Sequence, residues 1–145
     1  MTVSEFDRQT SFGWLINVVA GQAEKHLDAE LKKHGLTVAL WPTMMCLWEE
    51  EGVTQRQIAQ KAKVESSTTT RTLDKLEKLE LVERRADPDS RRNYRIFLTQ
   101  KGKDLRPHVS HLPVDINTAL LGSLDDKEKT RLIGLLQKVV HNIEY

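Results

Sequence analysis

The sequence predicts a mainly α protein that carries a two-stranded β wing. Three observations lead there. Apolar residues recur at three- and four-residue steps through most of the chain, the period of helices with one buried face. Between residues 81 and 98 that period gives way to two short stretches of strand character, with Asp87-Pro88-Asp89-Ser90 as turn chemistry between them. The first and last helical patterns carry more apolar surface than one small domain needs, so both want a partner.

The elements follow in order. From Ser4 to Lys33, Phe12, Leu15, Ile16, Val19, Ala20, Ala23, Leu27 and Leu31 share one helical face, and His34-Gly35 ends it with a glycine cap. Thr37 reads as the N-cap of a second helix, from Val38 to about Glu51. In it Pro42 removes one hydrogen bond and invites a bend, and Gly52 stops it. Thr54 with Gln57 forms the pattern of a capping box, opening a short helix with Ile58, Ala59 and Ala62 on its apolar side. Lys63-Val64-Glu65 is a turn. Ser66 or Ser67 caps the next helix, which turns Leu73, Leu76 and Leu79 inward. Leu81–Arg85 and Tyr94–Leu98 form a ribbon that must lean on the helices, because a lone hairpin is marginal in water. Thr99 with Gly102 opens a further helix that Pro107 and Pro113 kink or break. The last helix starts near Ser123, favoured by Asp125 and Asp126, and carries Leu132, Leu135, Leu136, Val139, Val140 and Ile143.

A chain of 145 residues suits one compact protomer with a real core. No window is apolar enough for a membrane span, and MTVSEFDRQT lacks the pattern of a secretion signal. The single cysteine, Cys46, cannot form an internal disulfide, which points to the cytoplasm. Net charge is only +1, yet its distribution is uneven. Thr54–Arg106 holds 14 Lys and Arg against 8 Asp and Glu, a net +6, and the remainder is −5. That basic block coincides with a short helix, a tight turn and a second helix, a helix-turn-helix. In this motif the second helix enters the DNA major groove with its first residues at the base edges. Here those are Ser66, Ser67, Thr68, Thr70 and Arg71. Hydroxyls serve bases and phosphates, and arginine grips guanine or phosphate in a bidentate manner. So many hydroxyls are poor helix formers and need a reason other than helicity. Arg91 and Arg92 sit at the ribbon tip, where arginine suits a narrow, strongly negative minor groove.

Residues Thr54–Leu105 resemble the winged helix-turn-helix of the MarR/SlyA family of bacterial regulators, through RTLDKLEKLELVERR, DPDSRR and RIFLTQKGKDL. Overall length and the helices at both ends match as well. The resemblance implies a homodimer with interleaved terminal helices, a recognition helix in the major groove and a wing arginine in the minor groove. It assigns Ser66, Ser67, Thr68, Thr70 and Arg71 to the recognition face and Arg91 to the wing tip. Arg92 matches a second wing arginine that in the family often pairs with a carboxylate. Two positions depart from the pattern. Ser90 stands where the family usually has aspartate, leaving Asp89 or Asp87 to take over the pairing. Glu80 stands where it usually has glycine, and a positive φ there costs about 1 kcal/mol.

The expected organisation is 1–36 as an N-terminal dimerisation helix, 37–105 as the DNA-binding region and 106–145 as C-terminal dimerisation helices. Leu15, Val19, Leu132, Leu136, Val139 and Ile143 are the candidate pairing residues. The reading is a sequence-specific regulator, a repressor of a pseudo-palindromic operator in double-stranded DNA, with a small aromatic or phenolic effector as candidate release signal. Family effectors bind between the dimer region and the winged domain, and Trp14 is the candidate to line such a cleft. The alternative is a winged-helix module that binds another protein without DNA. An enzyme is not expected: there is no glycine-rich phosphate loop, no Ser/His/Asp arrangement and no closed metal spacing. His108 and His111 lack an evident third ligand, so neither a metal nor a cofactor is expected. Cys46, in an apolar helix, reads as a buried structural residue.

Overall fold

The computed structural model describes residues 5–144. Its helices are α1 (Phe12–Lys32), α2 (Trp41–Glu49), α3 (Gln55–Ala62), α4 (Ser66–Lys78), α5 (Gln100–Val109), α6 (Leu112–Leu120) and α7 (Asp126–Ile143). The strands are β1 (Val53–Thr54), β2 (Val82–Asp87) and β3 (Ser90–Leu98), and short 3-10 turns occupy Arg8–Thr10 and Val38–Leu40. The chain forms two compact units. One is Glu24–Leu112, and the other comprises the flanking segments up to Ala23 and from Pro113. No helix among the described residues is long and apolar enough to cross a membrane.

Local chemistry sets the helix ends, and several depart from expectation. The first helical pattern is broken: Asp7 caps the Arg8–Thr10 turn and α1 begins only at Phe12. Ser4, the expected start, lies outside the described residues. Thr37 makes no side-chain cap. The Val38 amide instead donates to Asp28 Oδ1 at 2.9 Å, from α1. The neighbouring Lys32 ammonium, and then that bond, hold the Asp28 carboxyl below its ordinary range. Pro42 bends nothing, because it falls in the first turn of α2, where its missing N–H has no intrahelical partner to lose. Glu65, not Ser66 or Ser67, is the N-cap residue of α4. Asp125, not Ser123, caps α7 in a reciprocal box with Glu128. The Thr54–Gln57 box of α3 is present as expected. Pro107 is accommodated near the end of α5, and Pro113 lies in the first turn of α6, so the chain breaks between these helices at Ser110 and His111.

The Glu24–Leu112 unit has the core. Leu36, Met44, Ile58, Leu73, Leu76 and Ile96 are among its fully buried side chains, each worth about 1.5–3 kcal/mol of transfer free energy. They come from α2, α3, α4, β3 and the loop after α1, so the core ties the helix-turn-helix to the sheet. The expected ribbon is a three-stranded antiparallel sheet in the order β1-β3-β2. Val53 pairs with Ile96 and Thr54 with Arg95, while Val82 pairs with Leu98 and Arg84 with Ile96. β1 leaves no signal in the sequence, because a two-residue strand has no period.

Two backbone positions govern how α4 meets the hairpin. Glu80 has φ +60, and its amide bonds Glu77 O while the Leu81 amide bonds Leu76 O, a Schellman ending in which Glu fills the glycine place. The strain is about 1 kcal/mol, and Thr99 Oγ1 holds the turn by donating to Glu80 O at 2.6 Å. At Gly102, a Cβ would lie 2.2 Å from Leu81 O. That carbonyl accepts from the Thr99 amide, and Gly102 O accepts from Trp48 Nε1 at 2.9 Å, so neither backbone can retreat cheaply. Gly102→Ala is expected to destabilise by about 2 kcal/mol or more. Thermal denaturation should show a fall in Tm of at least about 5 °C.

Candidate nucleic-acid interface

The inner face of α4 is fixed by Leu73 and Leu76 together with Thr69 and Thr72, which are also buried. This orientation leaves Ser66, Ser67, Thr68, Thr70 and Arg71 exposed. Thr69 Oγ1 donates to Glu65 O and Thr70 Oγ1 to Ser66 O, so both satisfy themselves on the preceding turn. Gln55 of α3 donates to Thr70 Oγ1 and holds the start of α4 against α3. Ser66, Ser67 and Thr68 therefore carry the freer hydroxyls of the five candidates. Arg71 makes no ion pair among the described residues. With Lys75 and Lys78 it lines a groove of about 400 Å³ along α4.

The hairpin turns at Pro88-Asp89, with Asp87 paired to Ser90. The next cross-strand pair is Ala86 with Tyr94, so Arg91, Arg92 and Asn93 form an unpaired arch on β3. Arg91 and Arg92 are exposed and make no ion pair among the described residues. The expectation that Asp89 or Asp87 pairs with Arg92 is not met, because both carboxylates turn toward Arg95. Arg95 Nε donates to Asp87 Oδ1 at 3.2 Å, Nη2 lies 3.6 Å from Asp89, and Nη1 donates to Gly52 O at 3.1 Å. The Asp89 amide and then Arg95 hold the buried Asp87 carboxyl below its usual range. The hairpin corner is thus braced by an arginine deeper in the strand, which leaves the arch arginines without an ion pair among the described residues.

A residue that the sequence reading passed over joins the two surfaces. Arg84 of β2 reaches α4, where it pairs with Glu77, lies 2.9 Å from Asp74 Oδ1, and bonds Thr70 O. It neutralises the two carboxylates of α4 and ties that helix to the hairpin. Only the register Arg84↔Ile96 aims it there, and no spacing in the sequence signals it.

Residues 36–94 match the profile of the MarR family. Among curated relatives, the HTH-type transcriptional regulator SarZ of Staphylococcus haemolyticus (strain JCSC1435) is 27% identical over 129 residues, 89% of this chain and 86% of SarZ. The crystal structure of a MarR transcriptional regulator from Methanosarcina mazei Go1 superposes with TM-score 0.83 at 28% identity, covering 90% of this chain and 94% of that one. The chain belongs to the MarR family. This MarR-family protein is a transcriptional regulator and not an enzyme. It is also similar to a MarR mutant from E. coli complexed with operator DNA, with TM-score 0.84 and 25% identity over 94% of this chain and 99% of that one. The winged-helix architecture read from the sequence is the observed one, enlarged by β1.

The other candidate residues lie in the flanking unit. There Leu15, Val19, Val139 and Ile143 are exposed, and Leu132 and Leu136 are partly covered. No described residue of this unit is buried. Trp14 is 40% exposed, with the Arg8 guanidinium over its ring at 5.2 Å. Trp41 and Trp48 instead pack edge to face at 5.6 Å in the Glu24–Leu112 unit, where Cys46 is also buried.

Proposed function

We propose that this MarR-family regulator is a homodimeric repressor that binds a pseudo-palindromic operator in double-stranded DNA, with residues 37–105 as the reading region. The observation that carries this is the presence in one compact unit of two exposed cationic surfaces with no ion pair among the described residues: Arg71 on α4, and Arg91 with Arg92 on the hairpin arch. A helix in the major groove with a cationic tip for the neighbouring minor groove uses both. In that role Ser66, Ser67, Thr68, Thr70 and Arg71 face bases and phosphates, and Arg91 probes the minor groove. Homodimerisation through residues 1–36 and 106–145 is supported by the flanking unit, where Leu15, Val19, Val139 and Ile143 stay exposed in the single chain. Two-fold pairing would set recognition helices about 34 Å apart.

A band-shift of the purified protein on its own upstream DNA tests this reading. Specific retardation at moderate salt is expected, and its absence across a set of such fragments overturns it. Arg71→Ala should weaken operator binding by about 1–3 kcal/mol and relax preference at one position. Arg91→Ala should weaken it most where the flank is A·T-rich. Equal losses for Arg71→Ala on all sequences would remove base reading from Arg71. An aromatic effector, with Trp14 in its site, would release DNA only by preferring one separation of the recognition helices over another.

A further inference from the structure

Between α3 and the arch of the hairpin lies a groove of about 320 Å³, of which the reading above uses only Ser66 and Arg92. Its chemistry is one-sided. Arg56 and Arg92 supply two guanidinium groups, Ser66 and Tyr94 hydroxyls and Asn93 an amide, and no carboxylate lines it. Neither Arg56 nor Arg92 makes an ion pair among the described residues. Gln55, also in its wall, is already held by Thr70 and Ser66 O. A concave site of donors with unpaired cations suits a tetrahedral anion, and bidentate arginine geometry suits phosphate in particular. The volume is about ten times a water molecule's share of the liquid, enough for a phosphate and part of its sugar.

Position selects the kind of phosphate. One wall of the groove is Ser66, the first residue of α4, and another is the arch Arg92–Asn93. A duplex that takes α4 into its major groove and the arch into the adjacent minor groove has one backbone strand between those grooves. That strand must cross between α4 and the arch. We propose that this groove seats a phosphodiester of that strand, with Arg56 and Arg92 as its cations and Tyr94 as a neutral donor. The inference rests on the DNA-binding reading and adds Arg56, Asn93 and Tyr94 to the interface as backbone-positioning residues.

The test uses the full chain, the upstream fragment it retards, and a random duplex of equal length, with affinity measured across a salt series. Arg56 is exposed, so Arg56→Ala should keep its Tm. It should lose affinity for both duplexes by the same factor, with the slope of log K against log salt smaller by about 1. Tyr94→Phe should weaken both with the slope unchanged, since no counterion is displaced by a hydroxyl. Methylphosphonates placed singly along the fragment should weaken the wild type at a phosphate between the two grooves and weaken Arg56→Ala less there, where Arg92 alone remains as cation. An unchanged slope for Arg56→Ala, or equal sensitivity of both proteins at every neutralised position, overturns the phosphate seat while DNA binding stands. A wild type that binds neither duplex overturns the DNA reading itself, and the seat with it.

Discussion

Val139→Asp is expected to convert the protein to a monomer and to lower operator affinity by about a hundredfold or more. In the single chain Val139 is 40% exposed, in the same helix as Leu135 at 49% and Ile143 at 60%. The flanking unit buries none of its described residues, so its apolar side chains are not fully taken out of water within one chain. Each Val or Leu side chain fully covered by a partner adds about 1.5–3 kcal/mol of transfer free energy. A carboxylate in that contact reverses the sign, since an unpaired buried charge costs several kcal/mol, and two-fold symmetry imposes it twice. A monomer then meets one half-site, and the loss of bivalence alone is worth about 10²–10⁴ in affinity. Sedimentation reads the mass and a band-shift the affinity. The Trp41–Trp48 pair lies in the other unit, so its near-UV signal should persist and report an intact reading region. A variant that stays dimeric at micromolar concentration, or a monomer with full operator affinity, would refute the assignment of α7 to pairing.

Arg84→Ala should weaken DNA binding by about tenfold even though Arg84 faces the protein's own helix. Its side chain is 18% exposed and bridges Asp74 and Glu77, which are 54% and 38% exposed. Because the carboxylates are partly solvated, the lost bridge should cost only about 1–2 kcal/mol of stability. The larger effect is electrostatic. Without the guanidinium, α4 presents two uncompensated carboxylates three residues apart on a helix meant to meet phosphates, and the hairpin loses its tie to that helix. Adding Asp74→Asn and Glu77→Gln to Arg84→Ala separates the causes. If neutralisation is the function, the triple variant regains most of the affinity while its Tm stays low. No recovery would mean that Arg84 contacts DNA directly or that hairpin placement dominates.

Most of what the chain's own sequence determined is local. The helices declare themselves because a 3.6-residue period needs only neighbouring positions, as in the spacing of Leu73, Leu76 and Leu79. The Thr54–Gln57 box spans four residues and is visible for the same reason. The hydroxyl-rich start of α4 and the arginines after the Pro88 turn were legible because their chemistry is unusual for their position. Where caps compete within a few residues, local rules ranked them wrongly, as at Ser66 against Glu65 and Ser123 against Asp125. Tertiary structure decided what depends on strand register and on contacts between distant segments. Asp28 caps a segment ten residues on, Asp87 is turned to Arg95 instead of Arg92, and Gly102 lets two backbones approach. β1 exists only because β3 offers an edge, and Arg84 serves α4 only because β2 is registered against β3. A one-residue slip would turn that guanidinium to the opposite face of the sheet. Side-chain identity is written in the chain, but which carboxylate an arginine meets is a property of three-dimensional register, and no linear spacing encodes it.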